Sequence, residues 1–376
     1  MRIKAAVLET MELPRPYARS KPLAIEEVEL DPPGEGEVLV RIAAAGLCHS
    51  DLSVINGDRP RPLPLVLGHE AAGVVEATGP GVHDLAPGDH VVIVFVASCG
   101  RCSACLEGRP ALCAPAYRAN SAGTLLSGAR RLRRNGAPLN HHMGCSVFAE
   151  YAVVARGALV PVDPAIPLEQ AALFGCAVLT GVGAVLNTAG VRPGQRVAVV
   201  GLGGVGLNAV MGARLAGARQ IVAVDLRDDK LALARQLGAS DAVHAGAGDA
   251  VERLRALTEG GVDAAIEAVG SIPALEFAYA VTRRGGVTVT AGIAHPDRRI
   301  AIPQVSLVAE ERTLRGSYMG SCVPVRDIPR YMALMQQGRL PVDALLCERL
   351  GFEELNEAFD RLAEGRTVRQ ILLPHG

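Results

Sequence analysis

Four cysteines stand within one short stretch of the chain, and their spacing is typical of a metal site. The stretch CGRCSACLEGRPALC (99–113) has the pattern C-x2-C-x2-C-x7-C. Structural zinc is held tetrahedrally, and four thiolates leave no position for water or substrate. An iron–sulfur cluster also takes four cysteines, but the other motifs of the chain do not favour one. We therefore predict a closed structural zinc site whose ligands are Cys99, Cys102, Cys105 and Cys113.

Three further residues have the types that form a catalytic zinc site. Cys48 and His69 lie in the segments CHSD (48–51) and GHE (68–70), and Cys176 lies much further along the chain. A Cys/His/Cys set fills three tetrahedral positions and leaves the fourth open for water or a substrate oxygen. Each residue alone is weak evidence, because a lone cysteine is usually a small buried hydrophobe. Spacing alone therefore does not establish this second site.

A glycine-rich loop provides the third chemical motif. The apolar run VAVV (197–200) is followed by GLGGVG (201–206) and then by a helical pattern. In this strand–loop–helix context, G-x-G-x-x-G binds the pyrophosphate of a dinucleotide, and the helix N-terminus faces the phosphate charge. The loop therefore predicts a dinucleotide site whose glycines are Gly201, Gly203, Gly204 and Gly206.

An acidic residue beyond this loop indicates which dinucleotide binds. Asp225 ends the next predicted strand, 19 residues after Gly206. A carboxylate there accepts hydrogen bonds from the adenosine ribose and repels a 2′-phosphate, which favours NAD over NADP. Arg227 stands close enough in sequence to weaken this preference. We therefore expect NAD as the cofactor, together with two zinc ions per chain.

The composition is that of a soluble globular chain. The 376 residues are 49% hydrophobic and 20% charged, and 38 basic against 39 acidic residues give a net charge of −1. This balance provides no electrostatic attraction to nucleic acid or to an anionic membrane. Nine cysteines without a signal peptide favour thiolates over disulfides. The uncharged segment 170–191 is interpreted as a buried helix, so we expect a cytoplasmic protein with no membrane partner.

The motifs lie on two kinds of predicted structure, which divide the chain into two domains. Residues 1–177 show alternating apolar strands separated by proline and glycine turns. Residues 178–319 alternate strands with helices, which is typical of a parallel sheet covered on both faces. Residues 320–376 return to a mixed pattern and are expected to fold back on the first domain. The predicted strands are Lys4–Leu8, Ala24–Leu30, Val38–Ala45, Ala71–Ala77, His90–Phe95, Arg196–Val200, Gln220–Val224, Ala264–Glu267 and Gly286–Ala291, and the predicted helices are Gly204–Ala216 and Lys230–Leu237.

Together these motifs resemble the zinc-dependent alcohol dehydrogenases of the medium-chain dehydrogenase/reductase superfamily. The segment GHEAAGVVEATGPGV (68–82) fits the family's zinc signature, GLGGVG its cofactor loop, and the four-cysteine stretch its structural zinc lobe. The segment between Cys113 and Tyr151 is similar to the long loop of the dimeric, class III-like enzymes. The resemblance implies a GroES-like β-barrel for the first domain, with the zinc lobe at 95–115, an inserted Rossmann NAD-binding domain, and a homodimer.

The resemblance also implies roles for individual residues. Cys48, His69 and Cys176 match the catalytic zinc ligands, Asp51 fixes the orientation of the His69 ring, and Glu70 sits close behind the metal. The remaining implied roles are a hydrogen bond to the substrate oxygen for Ser50, walls of the substrate pocket for Phe95 and Met143, ribose contacts for Asp225 and Lys230, and pyrophosphate contacts for His49 and Arg369.

These roles imply a reversible, NAD-linked oxidation of a primary or secondary alcohol, aromatic alcohols included, to an aldehyde or ketone. Zinc lowers the pKa of the bound alcohol, and the deprotonated alcohol transfers hydride to the nicotinamide. The proton leaves through Ser50 and the nicotinamide ribose. Many relatives end this relay at a histidine five residues after the first zinc ligand, where this chain has Ser53. The terminal base is then solvent or His49.

The sequence is also compatible with two alternatives. A glutathione-dependent formaldehyde dehydrogenase, which acts on S-hydroxymethylglutathione, shares the loop length and most motifs. That class has an arginine after the fourth structural cysteine, where this chain has Tyr117 and then Arg118. A non-catalytic NAD(P)-binding relative is the second alternative, and it is expected to lack the ligand triad. The basic cluster 130–134 is interpreted as a solvated loop that borders the pocket entrance with Met143.

Overall fold

The computed structural model describes all 376 residues, which fold into two compact units. The first unit comprises residues 1–176, 323–330 and 342–376, and the second comprises 177–322 and 331–341. The predicted tail, residues 320–376, is divided between the two units. The domain bounds inferred from the sequence, 1–177 with 320–376 and 178–319, stay a prediction.

The strands are numbered in chain order. In the first unit they are β1 (Arg2–Leu8), β2 (Leu23–Leu30), β3 (Glu37–Gly46), β4 (Leu65–Val66), β5 (Ala71–Thr78), β6 (His90–Ile93), β7 (Leu132–Arg134), β8 (Ala137–Pro138), β9 (Asn140–His141), β10 (Tyr151–Ala155) and β11 (Leu159–Pro161). The second unit contains β12 (Arg196–Val200), β13 (Gln220–Asp225), β14 (Asp241–His244), β15 (Val262–Glu267), β16 (Thr282–Thr290) and β17 (Thr313–Gly316). The first unit then continues with β18 (Leu346–Leu350) and β19 (Arg369–Leu372).

The helices are numbered in the same way. Before the second unit they are α1 (Tyr17–Ser20), α2 (His49–Ile55), α3 (Ser103–Leu106), α4 (Ala114–Ser121) and α5 (Leu168–Ala172). The second unit contains α6 (Ala177–Gly183), α7 (Gly204–Leu215), α8 (Asp228–Leu237), α9 (Ala250–Leu257), α10 (Ile272–Val281) and α11 (Gln304–Ala309). The last two helices are α12 (Pro324–Gln336) and α13 (Leu355–Ala363).

The first unit is built on two mostly antiparallel sheets. One has seven strands in the order β11-β6-β5-β3-β19-β18, with β10 also paired to β3, and the other has six in the order β8-β7-β2-β1-β4-β9. Val38, Val40, Ile42 and Ala44 of β3 are fully buried, as expected for alternate residues on one face of a core strand. β19 pairs with β3, so the strand Arg369–Leu372 belongs to this sheet.

The basic cluster 130–134 is not the solvated loop that the sequence predicts. Its last three residues form β7, which pairs with β2. Arg131 donates from Nε to Glu37 Oε2 at 2.7 Å, and Glu37 is only 1% exposed. Arg133 and Arg134 form ion pairs with other acidic residues of the unit. The prediction was wrong because these acidic partners lie far away in sequence, where a local charge pattern does not reveal them.

The second unit is a parallel sheet with the strand order β14-β13-β12-β15-β16-β17. The order reverses beside β12, which is the arrangement of doubly wound dinucleotide-binding folds. Val197, Ala198 and Val199 of β12 are fully buried, which explains the continuous apolar run in the sequence. The predicted strands and helices of this unit match the structure to within a few residues, and the largest difference is that β16 begins at Thr282.

The uncharged segment 170–191 is a broken helix rather than one continuous helix. It contains the end of α5, a 3-10 turn (Leu173–Gly175), α6 and a π-helical turn (Ala184–Ala189). No single helix of the chain has the length and apolar character needed to cross a membrane. One pair, Leu168–Gly175 and Ala177–Ala189, meets the length and composition criteria jointly, with a bend of 55° between its members.

Candidate active site

Three segments of the first unit bring the predicted catalytic zinc ligands together. Cys48 is the N-terminal capping residue of α2, His69 follows the short strand β4, and Cys176 follows the 3-10 turn after α5. Their ligand atoms and a carboxylate oxygen of Glu70 all lie within 4.8 Å of one another. Two thiolates and an imidazole at this spacing fit a zinc ion that keeps one position open for a small ligand.

Asp51 joins two of these segments, those of Cys48 and His69, by hydrogen bonds. Its Oδ2 accepts from the backbone N–H of Cys48 at 3.3 Å, and its Oδ1 accepts from the N–H of Gly68 at 3.3 Å and lies 3.0 Å from His69 Nδ1. Burial acts to raise the pKa of Asp51, but the charge and hydrogen bonds of His69 and His142 outweigh it and lower that pKa. The ionised carboxylate orients the His69 ring, which leaves Nε2 for the metal.

A second histidine, which no motif of the sequence indicates, also lies against Asp51. His142 Nδ1 lies 3.2 Å from Asp51 Oδ1, and the His142 ring meets the His69 ring edge-on with centroids 5.6 Å apart. His142 is 1% exposed, and burial lowers its pKa. The only signal in the sequence is the doublet of His141 and His142, which has no spacing relation to the other ligands. The Asp51 carboxylate therefore lies close to two buried rings, those of His69 and His142.

Glu70 and Arg369 form a buried charge pair behind the ligands. Glu70 Oε2 lies 3.3 Å from Arg369 Nη1, and their side chains are 0% and 4% exposed. Burial raises the pKa of Glu70 to about 7. Arg369 also donates from Nη1 to the carbonyl of Leu47 at 3.1 Å, next to Cys48. The guanidinium thus lies against the metal ligands, where its positive charge favours thiolate at Cys48.

The two cysteine ligands differ in how readily they lose a proton. A hydrogen bond from Cys176 lowers the pKa of Cys48, and His69 and Arg369 lower it further against the effect of burial. The same hydrogen bond, together with burial, raises the pKa of Cys176. Zinc takes both side chains as thiolates, because only the thiolate is a ligand, and the surroundings of Cys48 favour that form.

Among the residues predicted to contact substrate or cofactor, Phe95 touches a ligand, and His49 and Ser50 directly follow one. Phe95 packs edge-on against His69 with ring centroids 5.4 Å apart, and Met143 is 5% exposed. Ser50 is half-buried in the first turn of α2, and His49 beside it is exposed. Ser53 donates from Oγ to the carbonyl of His49 at 2.8 Å, so its hydroxyl hydrogen is used within the helix.

The four-cysteine stretch forms the other metal site of the first unit. The four ligand atoms, from Cys99, Cys102, Cys105 and Cys113, lie within 4.8 Å of one another. Hydrogen bonding from the backbone of Cys105 lowers the pKa of Cys102 to about 6, whereas burial raises the pKa of Cys105 to about 12. Four sulfur donors from one short loop fit a closed tetrahedral zinc site, which holds this lobe together.

In the second unit, the glycine loop joins β12 to α7 at the carboxyl edge of the sheet. Gly203 is the N-terminal capping residue of α7. A Cβ atom at Gly206 would stand 1.7 Å from the carbonyl oxygen of Gly201, so only glycine lets the helix approach the loop this closely. Asp225 ends β13, and its Oδ2 accepts from the N–H of Leu202 at 2.7 Å. Loop and carboxylate thus lie together where dinucleotides bind in such sheets.

Comparison with known proteins agrees with this geometry. Residues 34–164 match the alcohol dehydrogenase GroES-like domain, and residues 204–337 match the zinc-binding dehydrogenase domain. The chain is 38% identical to the S-(hydroxymethyl)glutathione dehydrogenase of Escherichia coli O1:K1 / APEC over 360 residues, which are 95% of this chain and 97% of that protein. The chain belongs to the zinc-dependent alcohol dehydrogenase family.

Two solved structures are similar to this alcohol dehydrogenase over nearly their whole length. The alcohol dehydrogenase zinc-binding domain protein from Burkholderia ambifaria is 39% identical, with a TM-score of 0.93 and 100% of both chains covered. The benzyl alcohol dehydrogenase from Acinetobacter calcoaceticus is 33% identical, with a TM-score of 0.92 and 99% of both chains covered.

The family and fold predicted from the sequence are confirmed for this alcohol dehydrogenase. The first unit carries the GroES-like fold with a nearly closed, barrel-like sheet, and the second carries the parallel Rossmann sheet. Two zinc ions fit the chain, since one group of donors is the four cysteines and the other is Cys48, His69, Glu70 and Cys176. The assignment of each residue as a ligand stays a prediction. The roles of single residues, such as Ser50, Lys230 and Arg369, stay predictions.

Proposed function

We propose that this alcohol dehydrogenase uses NAD to oxidise primary and secondary alcohols, aromatic alcohols included, to aldehydes and ketones, and that it catalyses the reverse reduction. The observation that carries the proposal is the convergence of Cys48, His69 and Cys176 on one point. Zinc held there supplies a Lewis acid that lowers the pKa of the alcohol hydroxyl. Phe95 adds apolar surface beside His69, which suits a benzylic alcohol, and Met143 is assigned to the same pocket from the family resemblance.

In this proposal, Ser50 accepts the proton of the alcohol. The half-buried Ser50 hydroxyl lies two residues after Cys48, within the same turn that begins α2. A positioned hydroxyl can pass a proton onward without becoming charged. Because the Ser53 hydroxyl hydrogen is directed at the carbonyl of His49, the proton continues to the His49 imidazole or to water.

The preference for NAD rests on the charges beside Asp225. Arg227, the cation nearest in sequence, is paired through both its Nε and Nη2 with Asp229 at 3.0 Å. This pairing directs the guanidinium to Asp229, so Asp225 keeps its repulsion for a 2′-phosphate. We expect Asp225→Ser to raise the kcat/KM ratio of NADP to NAD by about tenfold or more, since one like charge is removed. Equal use of both cofactors by the unaltered enzyme would contradict the proposal.

The remaining cofactor contacts are proposed from the family resemblance. Lys230 lies in the first turns of α8, shortly after Asp225, and is assigned to the same adenosine ribose. His49 and Arg369 are assigned to the pyrophosphate. Replacing Lys230 with Ala is expected to weaken NADH binding, measured by nicotinamide fluorescence, without changing the zinc content.

A direct comparison of kcat/KM for two candidate substrates distinguishes the possible physiological alcohols. The Escherichia coli relative is named for S-(hydroxymethyl)glutathione, which keeps that substrate as the second candidate. Tyr117 and Arg118 are both exposed on α4, at the place where the glutathione-dependent class has an arginine. Our proposal expects a higher kcat/KM for benzyl alcohol than for formaldehyde with glutathione. The opposite order, abolished by Arg118→Ala, would establish the second candidate.

We also propose that the enzyme is a cytoplasmic homodimer. In the second unit, β17 is the edge strand of the parallel sheet, and Val305 and Val308 of the neighbouring α11 are 65% and 68% exposed. An exposed edge strand beside apolar side chains favours pairing with a second copy. Light scattering should give twice the chain mass of 39.2 kDa, and Val308→Glu should yield monomers. A monomeric mass for the unaltered enzyme would contradict this.

A further inference from the structure

A buried carboxylate in the second unit binds three donors but belongs to no site described above. Glu267 is the last residue of β15 and is 1% exposed. Its Oε1 accepts from the backbone N–H groups of Val269 at 2.7 Å and Gly270 at 2.6 Å, and its Oε2 accepts from Thr290 Oγ1 at 2.6 Å. Hydrogen bonds to an ionised acceptor are about twice as strong as those between neutral groups.

The backbone of Glu267 reinforces the same connection. Its carbonyl accepts from the N–H groups of Ala291 at 2.8 Å and Gly292 at 3.3 Å. Glu267 therefore joins the turn after β15 (268–271) to the turn after β16 (291–293); we call them the paired turns. A Cβ atom at Gly292 would stand 2.1 Å from Gly270 N, so the paired turns contact each other backbone to backbone.

The paired turns lie beside the cofactor loop. A Cβ atom at Gly201, the first glycine of that loop, would stand 2.3 Å from Val269 Cγ2. In this strand order, the β12–β14 half carries the adenosine end of a dinucleotide, marked here by Asp225. The β15–β17 half, which carries the paired turns, is then left for the nicotinamide end. Val269 and Ile293 are 54% and 47% exposed, so each turn presents an apolar side chain at this edge.

We propose that Glu267 is a positioning residue for the nicotinamide half of the cofactor, because its carboxylate fixes the paired turns before NAD binds. This inference rests on the proposed use of NAD. Glutamine at position 267 would keep the shape of the side chain. With its oxygen toward the N–H groups of Val269 and Gly270, its amide would donate to the Thr290 hydroxyl, which can also accept. The variant therefore keeps the contacts and removes the negative charge that strengthens them.

The test compares two ligands on the zinc-loaded enzyme. NADH contains both halves of the cofactor, whereas ADP-ribose lacks the nicotinamide. Glu267→Gln is expected to weaken NADH binding about tenfold or more, as loss of a buried charged acceptor implies, and to change ADP-ribose binding less than about threefold. NADH is followed by its fluorescence and ADP-ribose by calorimetry. Glu276→Gln, on the exposed face of α10, is the matched control and should change neither affinity.

Three outcomes would overturn the inference. One is unchanged NADH affinity in Glu267→Gln, and another is an equal loss for NADH and ADP-ribose at the same melting temperature, which would indicate a merely structural role. If Glu267→Gln does not fold, Thr290→Val removes one partner, and an unchanged ratio of the two affinities in that variant would also count against the inference. Failure of the proposed NAD use is distinguishable, since the unaltered enzyme would then not bind NADH.

Discussion

The four-cysteine site takes its ligands from 15 consecutive residues, whereas the Cys48 site takes its ligands from three segments that are far apart in sequence. A loop can close around zinc with its own backbone and needs little from the rest of the fold. The other site exists only when α2, the turn after β4 and the turn after α5 are all in place. The open coordination position thus depends on tertiary structure, and the closed site depends on local sequence.

The largest effect is expected from removing one ligand of the open site. Cys176→Ala should reduce the zinc content from two ions per chain to one and lower kcat by about a thousandfold, because several kcal/mol of Lewis-acid stabilisation are lost. Zinc is measured by plasma emission and kcat with benzyl alcohol. Cys347→Ala, at an exposed cysteine, is the control and should keep both ions. Substantial turnover in Cys176→Ala would refute the assignment of the open site.

The next effect concerns the proton path at the open site. Ser50→Ala should lower kcat for alcohol oxidation by about a hundredfold, the range typical of a lost proton-transfer group. Ser53→His should raise the rate mainly at low pH, where the alcohol loses its proton least readily. His49→Gln separates the two routes, since it reduces the low-pH rate only if His49 is the terminal base. A flat response to both Ser53→His and His49→Gln would exclude the two positions from the relay.

A smaller effect is expected from the second ring on Asp51. His142→Gln should weaken zinc at the open site about tenfold, the lower end for residues that orient a metal ligand. A chromogenic chelator should then remove one of the two ions faster from the variant than from the unaltered enzyme, while the four-cysteine site retains its zinc in both. Equal retention in the variant and the unaltered enzyme would mean that Asp51 orients His69 without help.

The closed site is expected to affect stability but not chemistry. Cys102→Ser should lower the melting temperature by about 4 °C, since a few kcal/mol of zinc binding are lost from a chain of this size. The activity per folded molecule should stay within about twofold, because this metal has no open position. If Cys102→Ser remains folded but loses activity, the two metal sites are coupled.

The smallest effect is expected from His141, whose titration makes the stability of the fold depend on pH. Burial lowers the pKa of His141 to about 4, and its Nε2 accepts from the N–H of Arg131 at 3.0 Å. Because the folded pKa is lower than the unfolded value of about 6.5, the folded state binds fewer protons between pH 6.5 and 4. Its contribution to stability is therefore present above pH 6.5 and is lost as the pH falls toward 4.

His141→Gln removes this titration and keeps an acceptor for Arg131. We expect the free energy of unfolding, measured in urea, to fall less steeply below pH 6.5 in the variant, by at most about 1.4 kcal/mol per pH unit. Zinc content is checked at each pH, because acid also displaces the metal. Parallel pH profiles for the two proteins would contradict the prediction.

The sequence predicts those features that depend on neighbouring residues. The glycine loop, the strands of alternating pattern and the four-cysteine site all follow from local spacing. Cys176 joined the open site only through the family resemblance, since its position relative to Cys48 depends on several strands. His142 could not be predicted because a doublet of histidines carries no geometric information. The pairing of Arg131 with Glu37 was missed for the same reason: its two members meet only in the folded sheet.

The place of β19 in the sheet has a consequence for the order of events during synthesis. β19 follows every other strand in the chain, yet it lies between β3 and β18 and carries Arg369, the partner of Glu70. Domains generally begin to fold from the N-terminal side as the chain emerges from the ribosome. The stretch 99–113 is therefore complete early and can take zinc while translation continues. The open site acquires its arginine only when residue 369 of 376 has been added, so a prematurely terminated chain would carry the first metal and lack a finished catalytic centre.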